Sequence, residues 1–321
     1  VIRAGHQIPG RCFEGGVVLK VGGLYRLFTC EFKRGDVSGP TKLACWASRD
    51  GKQWKFKSFV VGTVPPARDG KGFIPWEPTP IFDHVENRWY LFFVAYKNQN
   101  QGGKICMMAS AVKGYDRGIE GPWHNLGVIM QPDADSQAWE GPQGVDSFYP
   151  YQAKGRWYAM YGSSNWGSTS ANKFGERTIR WLIGLATAPT LRGPWKRCAT
   201  GNPLPVEKVY WENPLVSRIG DWYVAVYDAV APGAPTYLPN GGHIAGYTCS
   251  KDGIHWLPGG RILVQPNGPA NWSRDLRTPM GLIPEGKGIY TMFYTGFERA
   301  TPEWTGNESV GMVRLRVVWH H

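Results

Sequence analysis

The segment NRWYLFFVAYK (residues 87–97) decides the fold, because variants of it recur along the whole chain. It opens on a turn residue and continues with aromatic and β-branched residues, a pattern typical of a buried strand entered from a hairpin. The other copies are GGLYRLFTCEF (22–32), GRWYAMYGSSN (155–165), GDWYVAVYDAV (220–230) and GKGIYTMFYTG (286–296). Their anchoring tyrosines, from Tyr25 to Tyr290, are 65, 68, 65 and 67 residues apart. Five units of one kind therefore fill the chain and predict a single domain over residues 1–321.

Each unit contains more than this one strand. A short apolar strand precedes every copy and another follows it, and a tryptophan then marks entry into a fourth strand: Trp54, Trp123, Trp195, Trp256 and Trp319. Five four-stranded antiparallel sheets without helical segments predict an all-β protein, a five-bladed β-propeller. A β-sandwich with chance repeats is the alternative, and it does not explain the even period.

The links into two of the fourth strands carry a structural signal. Residues 48–54 (SRDGKQW) and 250–256 (SKDGIHW) share the pattern S-x-D-G-x-x-W. An aspartate at that place bonds backbone groups of a tight turn, and the tryptophan packs between blades. We therefore assign both segments to the scaffold.

Composition excludes several classes of protein. With 42 % hydrophobic and 19 % charged residues, the chain can bury a large core, which excludes a disordered protein. The sequence has no uninterrupted apolar run of the roughly 18 residues that span a membrane, so no membrane partner is expected. The net charge of +11 comes from scattered Lys and Arg. It predicts an acidic small ligand or polysaccharide rather than nucleic acid.

Chemistry in a propeller is expected where the innermost strands open onto the central channel. Acids stand just before or at these strands in all five units: Glu14, Glu77, Asp146, Glu212, and Asp275 within the run Arg274–Arg277. Carboxylates crowded around one axis repel each other unless they bind a ligand, a metal or an arginine. We therefore expect Glu14, Asp146 and Glu212 to face one central depression.

Short motifs on these strands resemble a known family. Val145-Asp146-Ser147-Phe148, Trp211-Glu212-Asn213-Pro214 and Trp76-Glu77-Pro78 are similar to motifs of the five-bladed propeller glycoside hydrolases, as is the run ATAPTLRGPW (186–195). The resemblance is to family 43, the arabinanases and xylosidases, and more distantly to the fructosidases. It implies a hydrolase of O-glycosyl bonds that degrades polysaccharides and is secreted or periplasmic.

The resemblance also implies roles for three acids. Glu212 on the fourth blade is the general acid, and Asp146 on the third blade raises the pKa of that acid and orients substrate. Glu14 on the first blade is the general base. Such hydrolysis needs one protonated and one ionised carboxyl, and an inverting enzyme holds the two roughly 6.5–9.5 Å apart. Separate blades across a channel can provide that gap, so we expect inversion.

The sequence departs from the family pattern at two places. Phe13-Glu14-Gly15-Gly16 stands where the family has Ala-Asp-Pro, and Glu77 replaces a small residue. A further segment, Trp139-Glu140-Gly141-Pro142, also spells the fourth-blade pattern, although it precedes blade three. Glu140 is therefore an alternative general acid.

Several other side chains are expected to contact a sugar. The predicted substrate-binding residues are Trp76, Glu77, Trp139, Trp166, Trp211, His243, Asp275 and Arg277. Tryptophan faces stack on sugar rings, although each of these tryptophans could equally belong to the core. Arg274 and Arg277 either bind a carboxylated sugar through a bidentate fork or neutralise the acids. The first interpretation predicts an acidic glycan.

Other functions remain open at this stage. A non-catalytic carbohydrate-binding propeller is one alternative, because fold does not fix function. A polysaccharide lyase could use His243 as its base and Arg277 to neutralise a carboxylate, and a sialidase-like propeller would need six blades. We expect the hydrolysis to require no cofactor. Because related propellers often hold calcium near the axis, a structural calcium in the central channel stays an open alternative. We expect a monomer.

Overall fold

The computed structural model describes residues 2–3, 11–33, 41–60, 74–97, 101–165, 180–230, 243–264, 275–297 and 309–318. Those residues form twenty strands and one short helix. In chain order they are β1 (Ile2–Arg3), β2 (Arg11–Val21), β3 (Leu24–Lys33), β4 (Lys42–Ser48), β5 (Lys55–Phe59), β6 (Ile74–Asp83), β7 (Arg88–Tyr96), β8 (Lys104–Lys113), α1 (Tyr115–Gly118), β9 (Trp123–Met130), β10 (Asp146–Ala153), β11 (Arg156–Ser164), β12 (Trp181–Ala188), β13 (Lys196–Arg197), β14 (Trp211–Ile219), β15 (Trp222–Val230), β16 (His243–Ser250), β17 (Gly260–Ile262), β18 (Asp275–Gly286), β19 (Ile289–Phe297) and β20 (Ser309–Arg316). No helix in these ranges is long and apolar enough to cross a membrane.

The strands form five antiparallel sheets of four strands, which confirms the predicted five-bladed propeller. Blades one to four are β2–β5, β6–β9, β10–β13 and β14–β17, each in chain order. Within each blade the repeated segment supplies the second strand, which is paired on both sides and therefore buried. In β7, for example, every residue from Trp89 to Tyr96 is buried. The continuous apolar run follows from this position inside the sheet.

The fifth blade is closed differently from the prediction. Its order is β18, β19, β20 and then β1, so the outer strand comes from the first residues of the chain. Ile2 pairs with Val310 and Arg3 with Ser309. The sequence predicted a fourth strand at Trp319, which lies outside the described residues. A circular array brings its first and last blades together, and a short strand from one end can then complete the sheet of the other.

Neighbouring blades are held together by aromatic packing. The rings of Phe92 and Phe148 lie 5.4 Å apart between blades two and three. Trp54 contacts Phe293 at 5.8 Å between blades one and five. Large aromatic side chains bury about 150–250 Å² each, and contacts of this kind dominate core energetics. The two S-x-D-G-x-x-W segments therefore serve the scaffold, as predicted.

Their turn geometry has the expected cause. The Asp50 carboxylate accepts hydrogen bonds from the backbone N–H groups of Lys52 and Gln53, both at 2.8 Å. The indole of Trp54 donates to the carbonyl of Gly51 at 3.1 Å. Asp252 accepts the matching backbone bonds in blade four.

Candidate active site

All five innermost strands carry a β-bulge at the same height. The last paired residues before the bulges are Glu14, Trp76, Asp146, Glu212 and Leu276. The acids of blades one, three and four therefore occupy equivalent positions. Glu77 comes one residue after the equivalent position in blade two, and Asp275 comes one residue before it in blade five.

The first residue of the bulge adopts a left-handed backbone conformation in four blades. The φ angles are +57° at Gly15, +51° at Glu77, +49° at Ser147 and +53° at Asn213. Bulges bend a strand and re-aim its side chains, and such strained residues cluster at functional sites. The bulge residues consequently turn toward one another around the axis.

Hydrogen bonds join these bulge residues across blades. The backbone N–H of Asn213 donates to the Ser147 hydroxyl at 3.2 Å. The backbone N–H of Ser147 donates to Glu77 Oε2 at 3.0 Å, and the side-chain nitrogen of Asn213 faces the same oxygen at 3.2 Å. Blades two, three and four are therefore tied together at the centre of the molecule.

Three carboxyl groups meet at this centre. Oxygen atoms of Glu77, Asp146 and Glu212 all lie within 4.8 Å of one another. Asp146 has no exposed surface, whereas Glu77 and Glu212 keep 8 % and 7 % of theirs. The structure thus brings together two of the three predicted catalytic acids and adds Glu77.

Asp146 is the carboxyl that is best prepared to be ionised. It accepts hydrogen bonds from Gln143 Nε2 at 2.7 Å and from the Ser147 backbone N–H at 2.8 Å. Burial raises the pKa of Asp146, while hydrogen bonds from Glu77, Tyr96, Ser147 and Gln143 oppose that rise. Hydrogen bonds to a charged form stabilise that form.

Glu77 is held in the opposite state. Burial raises the pKa of Glu77 well above its ordinary value, and the charges of Asp146 and Glu212 raise it further. Two carboxyls that share one backbone donor and a hydrogen bond with each other cannot both be ionised. Glu77 therefore holds the shared proton and donates it in a hydrogen bond to Asp146.

Glu212 also has the properties of a protonated acid. Burial raises the pKa of Glu212 well above its ordinary value, followed by the charges of Asp146 and Asp228, while the Tyr210 hydrogen bond and His243 lower it. The Tyr210 hydroxyl lies 2.6 Å from Oε2, and Arg277 Nη2 lies 3.6 Å from the same oxygen. With Oε2 anchored, Oε1 is the oxygen available to carry a transferable proton.

A second polar layer lies behind Glu212. Asp228 is paired with Glu212 across the β14–β15 ladder and is fully buried. Its Oδ1 lies 3.0 Å from His243 Nδ1, and its Oδ2 lies 3.1 Å from the Tyr210 hydroxyl and 3.8 Å from Arg277 Nε.

This layer changes how Arg277 and His243 are interpreted. Both were predicted to contact substrate, and both are buried, with 4 % and 5 % of their surface exposed. Arg277 faces the carboxyls of Glu212 and Asp228, which favours the interpretation that it neutralises the acids. A lyase would need the two side chains free for a substrate carboxylate, and a sialidase would need six blades, whereas the described residues form five.

The predicted aromatic sugar contacts lie mainly in the core. Trp211 has no exposed surface and packs edge-on against Tyr227 at 5.2 Å. Trp76 is 8 % exposed and stacks on Phe32 at 5.6 Å. A face covered by another ring cannot stack on a sugar, so the expected sugar contact of these two tryptophans is not supported by their positions. Trp139 packs near Tyr161 instead of the axis.

Four predicted site residues lie beyond what the structure describes in full. Trp166 and Arg274 are outside the described residues. For Glu14 and Asp275 the backbone pairing is described and the side chain is not. The equivalence of Glu14 with Asp146 and Glu212 therefore rests on strand register.

Glu140, the alternative acid, has a structural role. Its carboxylate pairs with Arg197 at 2.6 and 2.9 Å and accepts the Tyr161 hydroxyl at 2.9 Å. Arg197 also reaches Asp133 at 3.0 Å, so the ion pair fixes the loop before blade three. Glu140 is thereby separated from the three central carboxyls.

A depression of about 260 Å³, including space open to solvent, lies on the axis. Residues from the first four innermost strands line it, among them Gly16, Glu77, Ser147 and Asn213. Ser147 and Asn213 directly follow Asp146 and Glu212 in the chain. Of the three clustered carboxyls, Glu77 lines the depression, and the expectation that Glu14, Asp146 and Glu212 face it stays a prediction.

Sequence reasoning missed several residues of the site. Gln143, Tyr96 and Tyr210 bond the carboxyls, and Asp228 supports Glu212. One signal was available, because Asp228 is the only acid in the otherwise apolar strand WYVAVYDAV (222–230). Gln143 and Tyr210 lie in connecting segments with no distinctive pattern.

The surroundings of the carboxyl cluster bear on whether it could hold calcium. Calcium binds six to eight oxygen ligands and requires ionised carboxylates. Here hydrogen-bond donors surround the oxygens: Gln143 Nε2, the Ser147 N–H, the Tyr210 hydroxyl and the Arg277 guanidinium. These donors occupy oxygens that calcium would need, so among the described residues the donor set fits hydrogen-bonded carboxyls better than it fits calcium.

Solved structures that share this fold include glycoside hydrolases and a levansucrase. A complex of BT0996 with RGII matches with a TM-score of 0.70 at 14 % identity, covering 96 % of this protein and 88 % of its counterpart. A thermostable family-43 glycoside hydrolase matches with a TM-score of 0.58 at 16 % identity, covering 96 % and 91 %. A B. subtilis levansucrase mutant matches with a TM-score of 0.64 at 10 % identity, covering 99 % and 87 %.

No protein-family model and no curated protein matches the sequence. The predicted resemblance to five-bladed propeller glycoside hydrolases is confirmed at the level of the fold. Identities of 10–16 % show a shared fold alone, and the roles of individual residues have to come from this chain's own geometry.

Proposed function

We propose that the protein is a glycoside hydrolase that cleaves a poly- or oligosaccharide. One observation carries the proposal: Glu212, whose pKa burial raises well above its ordinary value, lies within 4.8 Å of the hydrogen-bonded carboxyl of Asp146 and of Glu77, which lines the axial depression. General acid catalysis at a glycosidic oxygen needs a carboxyl whose pKa is raised by its surroundings. The fold of the solved relatives agrees with this chemistry.

The three acids have distinct proposed roles. Glu212 Oε1 donates its proton to the leaving oxygen of the scissile bond, since Oε2 is held by Tyr210 and Arg277. Asp146 does not touch the sugar, because it is fully buried. Its negative charge keeps Glu212 protonated until the transfer. Glu14, at the same bulge position on blade one, is the base that removes a proton from the attacking water.

The spacing of the carboxyls connects the base to the stereochemistry. Oxygens of Glu77, Asp146 and Glu212 lie within 4.8 Å of one another, which is closer than the roughly 6.5–9.5 Å of an inverting pair. Inversion therefore requires the base to come from another residue, and Glu14 is the proposed one. Retention of configuration would instead indicate a nucleophile within the trio, where Glu77 is the accessible carboxyl.

The experiment is a screen of aryl glycosides and of plant and algal polysaccharides, read by released reducing sugar and by NMR of the first-formed anomer. Glu212→Gln and Glu14→Gln should each lower turnover by roughly 10² to 10⁴ while substrate binding survives. Glu140→Gln is the matched control, because Glu140 is a buried glutamate in an ion pair away from the axis. Loss of activity in the control alone would reassign the acid.

The screen also separates the competing functions. A carbohydrate-binding propeller would bind glycans and release no sugar, and a lyase would leave an unsaturated, ultraviolet-absorbing end. Action on polysaccharides outside the cell is part of the proposal, and fractionation of the native host would test secretion. Gel filtration would test the expected monomer.

A further inference from the structure

A buried hydroxyl behind Glu212 faces two carboxyl groups at once. The Tyr210 oxygen lies 2.6 Å from Glu212 Oε2 and 3.1 Å from Asp228 Oδ2. Tyr210 and Asp228 are 1 % and 0 % exposed. A phenol carries a single hydroxyl hydrogen, so it can donate fully to one of the two oxygens at a time. The two carboxyls therefore compete for one donor.

The fold fixes this competition in place. Asp228 and Glu212 are direct partners across the β14–β15 ladder, and Tyr210 lies one residue before β14, bridged to Trp181 of blade three. The Tyr210 ring packs against His243 with centroids 5.4 Å apart. Backbone pairing on both sides of the hydroxyl thus leaves rotation of its O–H bond as the simplest adjustment.

Two nitrogen-bearing side chains approach the Asp228 carboxyl. His243 Nδ1 lies 3.0 Å from Oδ1, and Arg277 Nε lies 3.8 Å from Oδ2. The groups that face Glu212 are then Glu77 and Asp146 on the axial side, and Asp228, Tyr210, His243 and Arg277 behind it. Within the described residues, Asp228 is the acid of this set that pairs with Glu212 across the β14–β15 ladder and contacts both His243 and Arg277.

We propose that Asp228 is a positioning residue for Glu212: it takes the Tyr210 hydrogen bond while Glu212 holds its proton and releases it to Glu212 once that proton has been transferred. This proposal rests on the proposed function, in which Glu212 is the general acid. This exchange breaks and forms no covalent bond. The hydroxyl hydrogen stays on Tyr210, and only the oxygen that accepts it changes.

The exchange has a chemical advantage for an acid. While Glu212 is neutral, the charge of Asp228 disfavours loss of the proton. When Glu212 becomes a carboxylate, the hydroxyl turns to it and forms a charge-assisted hydrogen bond, which is about twice as strong as a neutral one. The proton is held before the reaction, and the carboxylate is stabilised after it.

Two substitutions should move the pKa of Glu212 in opposite directions. Asp228→Asn removes a nearby negative charge and should lower this pKa by about one unit, a tenfold change in proton affinity. Tyr210→Phe removes the donor that stabilises the carboxylate and should raise it by a similar amount. A merely structural role would lower stability in both variants without opposite shifts.

The direct measurement is an NMR titration of protein labelled with ¹³C at the glutamate carboxyl carbon. The Glu212 resonance is identified by its loss in Glu212→Gln. Glu207→Gln is the control, because Glu207 also faces a tyrosine hydroxyl and an arginine, Tyr227 at 2.6 Å and Arg261 at 3.1 Å, in the same blade. This control should change stability and leave the Glu212 titration unmoved.

Kinetics provide a second readout. A general acid must be protonated, so the alkaline limb of the kcat/KM profile follows its pKa. The limb should move to lower pH in Asp228→Asn and to higher pH in Tyr210→Phe. Equal or absent shifts in folded variants would overturn the proposal. If Asp228→Asn does not fold, Tyr210→Phe decides alone, and an unchanged Glu212 pKa in it overturns the proposal.

The two readouts keep the two proposals apart. The titration needs no turnover, so opposite shifts would support the role of Asp228 even if no glycan were cleaved. Absence of cleavage with every glycan would contradict the proposed function only.

Discussion

Replacing Glu77 by glutamine should make the protein more stable at neutral pH. Glu77 is buried, and burial together with the charges of Asp146 and Glu212 raises its pKa well above the ordinary value. An amide resembles the protonated carboxyl in shape, since one atom can accept the Ser147 N–H and the other can donate to Asp146. Glu77→Gln therefore keeps the contacts with Ser147 and Asp146 and removes the need for a proton.

The magnitude follows from the spacing. Two unit charges at the 4.8 Å limit of this spacing repel each other by about 3.5 kcal/mol at an effective dielectric constant of about 20. A carboxyl with a raised folded-state pKa contributes stability below its unfolded pKa of about 4.3 and loses it as pH rises through the folded pKa. Each pH unit in that window costs about 1.4 kcal/mol.

The assay is urea unfolding of the wild type and Glu77→Gln at pH 4 and pH 7.5. The variant should match the wild type within about 1 kcal/mol at pH 4 and exceed it by about 3 kcal/mol at pH 7.5. The control, Glu140→Gln, should be about 3 kcal/mol less stable at pH 7.5, because it breaks a buried ion pair with Arg197. A Glu77→Gln variant whose stability difference is the same at both pH values would refute the reasoning.

Three other substitutions test separate features. Asp146→Asn should move the alkaline limb of the kcat/KM profile to lower pH, because it removes a charge that keeps Glu212 protonated; an unmoved limb would contradict that role. Arg277→Ala should slow turnover of neutral and uronate-bearing glycans alike, since its guanidinium faces carboxyls; a loss confined to uronates would restore the sugar-carboxylate interpretation. Gly16→Ala should lower the free energy of unfolding by about 2–5 kcal/mol. Gly16 has φ +107°, and a methyl group there would clash with the Phe28 carbonyl oxygen. A thermal unfolding temperature near that of the wild type would contradict this packing.

The architecture was predictable because it repeats. Five hairpin strands at an even period predict an array of like sheets, and the apolar run of each second strand indicates its burial on both sides. The turns at Asp50 and Asp252 were also predictable, since their hydrogen bonds involve residues two and three positions away. Interactions over such short distances along the chain can be predicted from the neighbouring residues.

The candidate site was predictable in part. Asp146 and Glu212 stand in recognisable motifs, and the structure brings them together. The sequence could not show that Trp76 holds the equivalent position in blade two while Glu77 is turned into the cluster. A one-residue difference in bulge register decides which side chain faces the axis. The sequence is compatible with either register, so it does not predict which one forms.

The number of blades follows from the repeat period along the chain, the strands from their apolar pattern, and two of the central acids from short motifs, so all of these could be predicted before the structure. Tertiary structure alone decided which distant groups meet. It paired Glu140 with Arg197, turned Arg277 toward Glu212 and Asp228, and placed Tyr210 between those two acids. These contacts join separate strands and blades. The pKa values of the carboxyl groups depend on burial and on neighbouring charges, and only the closed propeller brings those charges within a few ångströms.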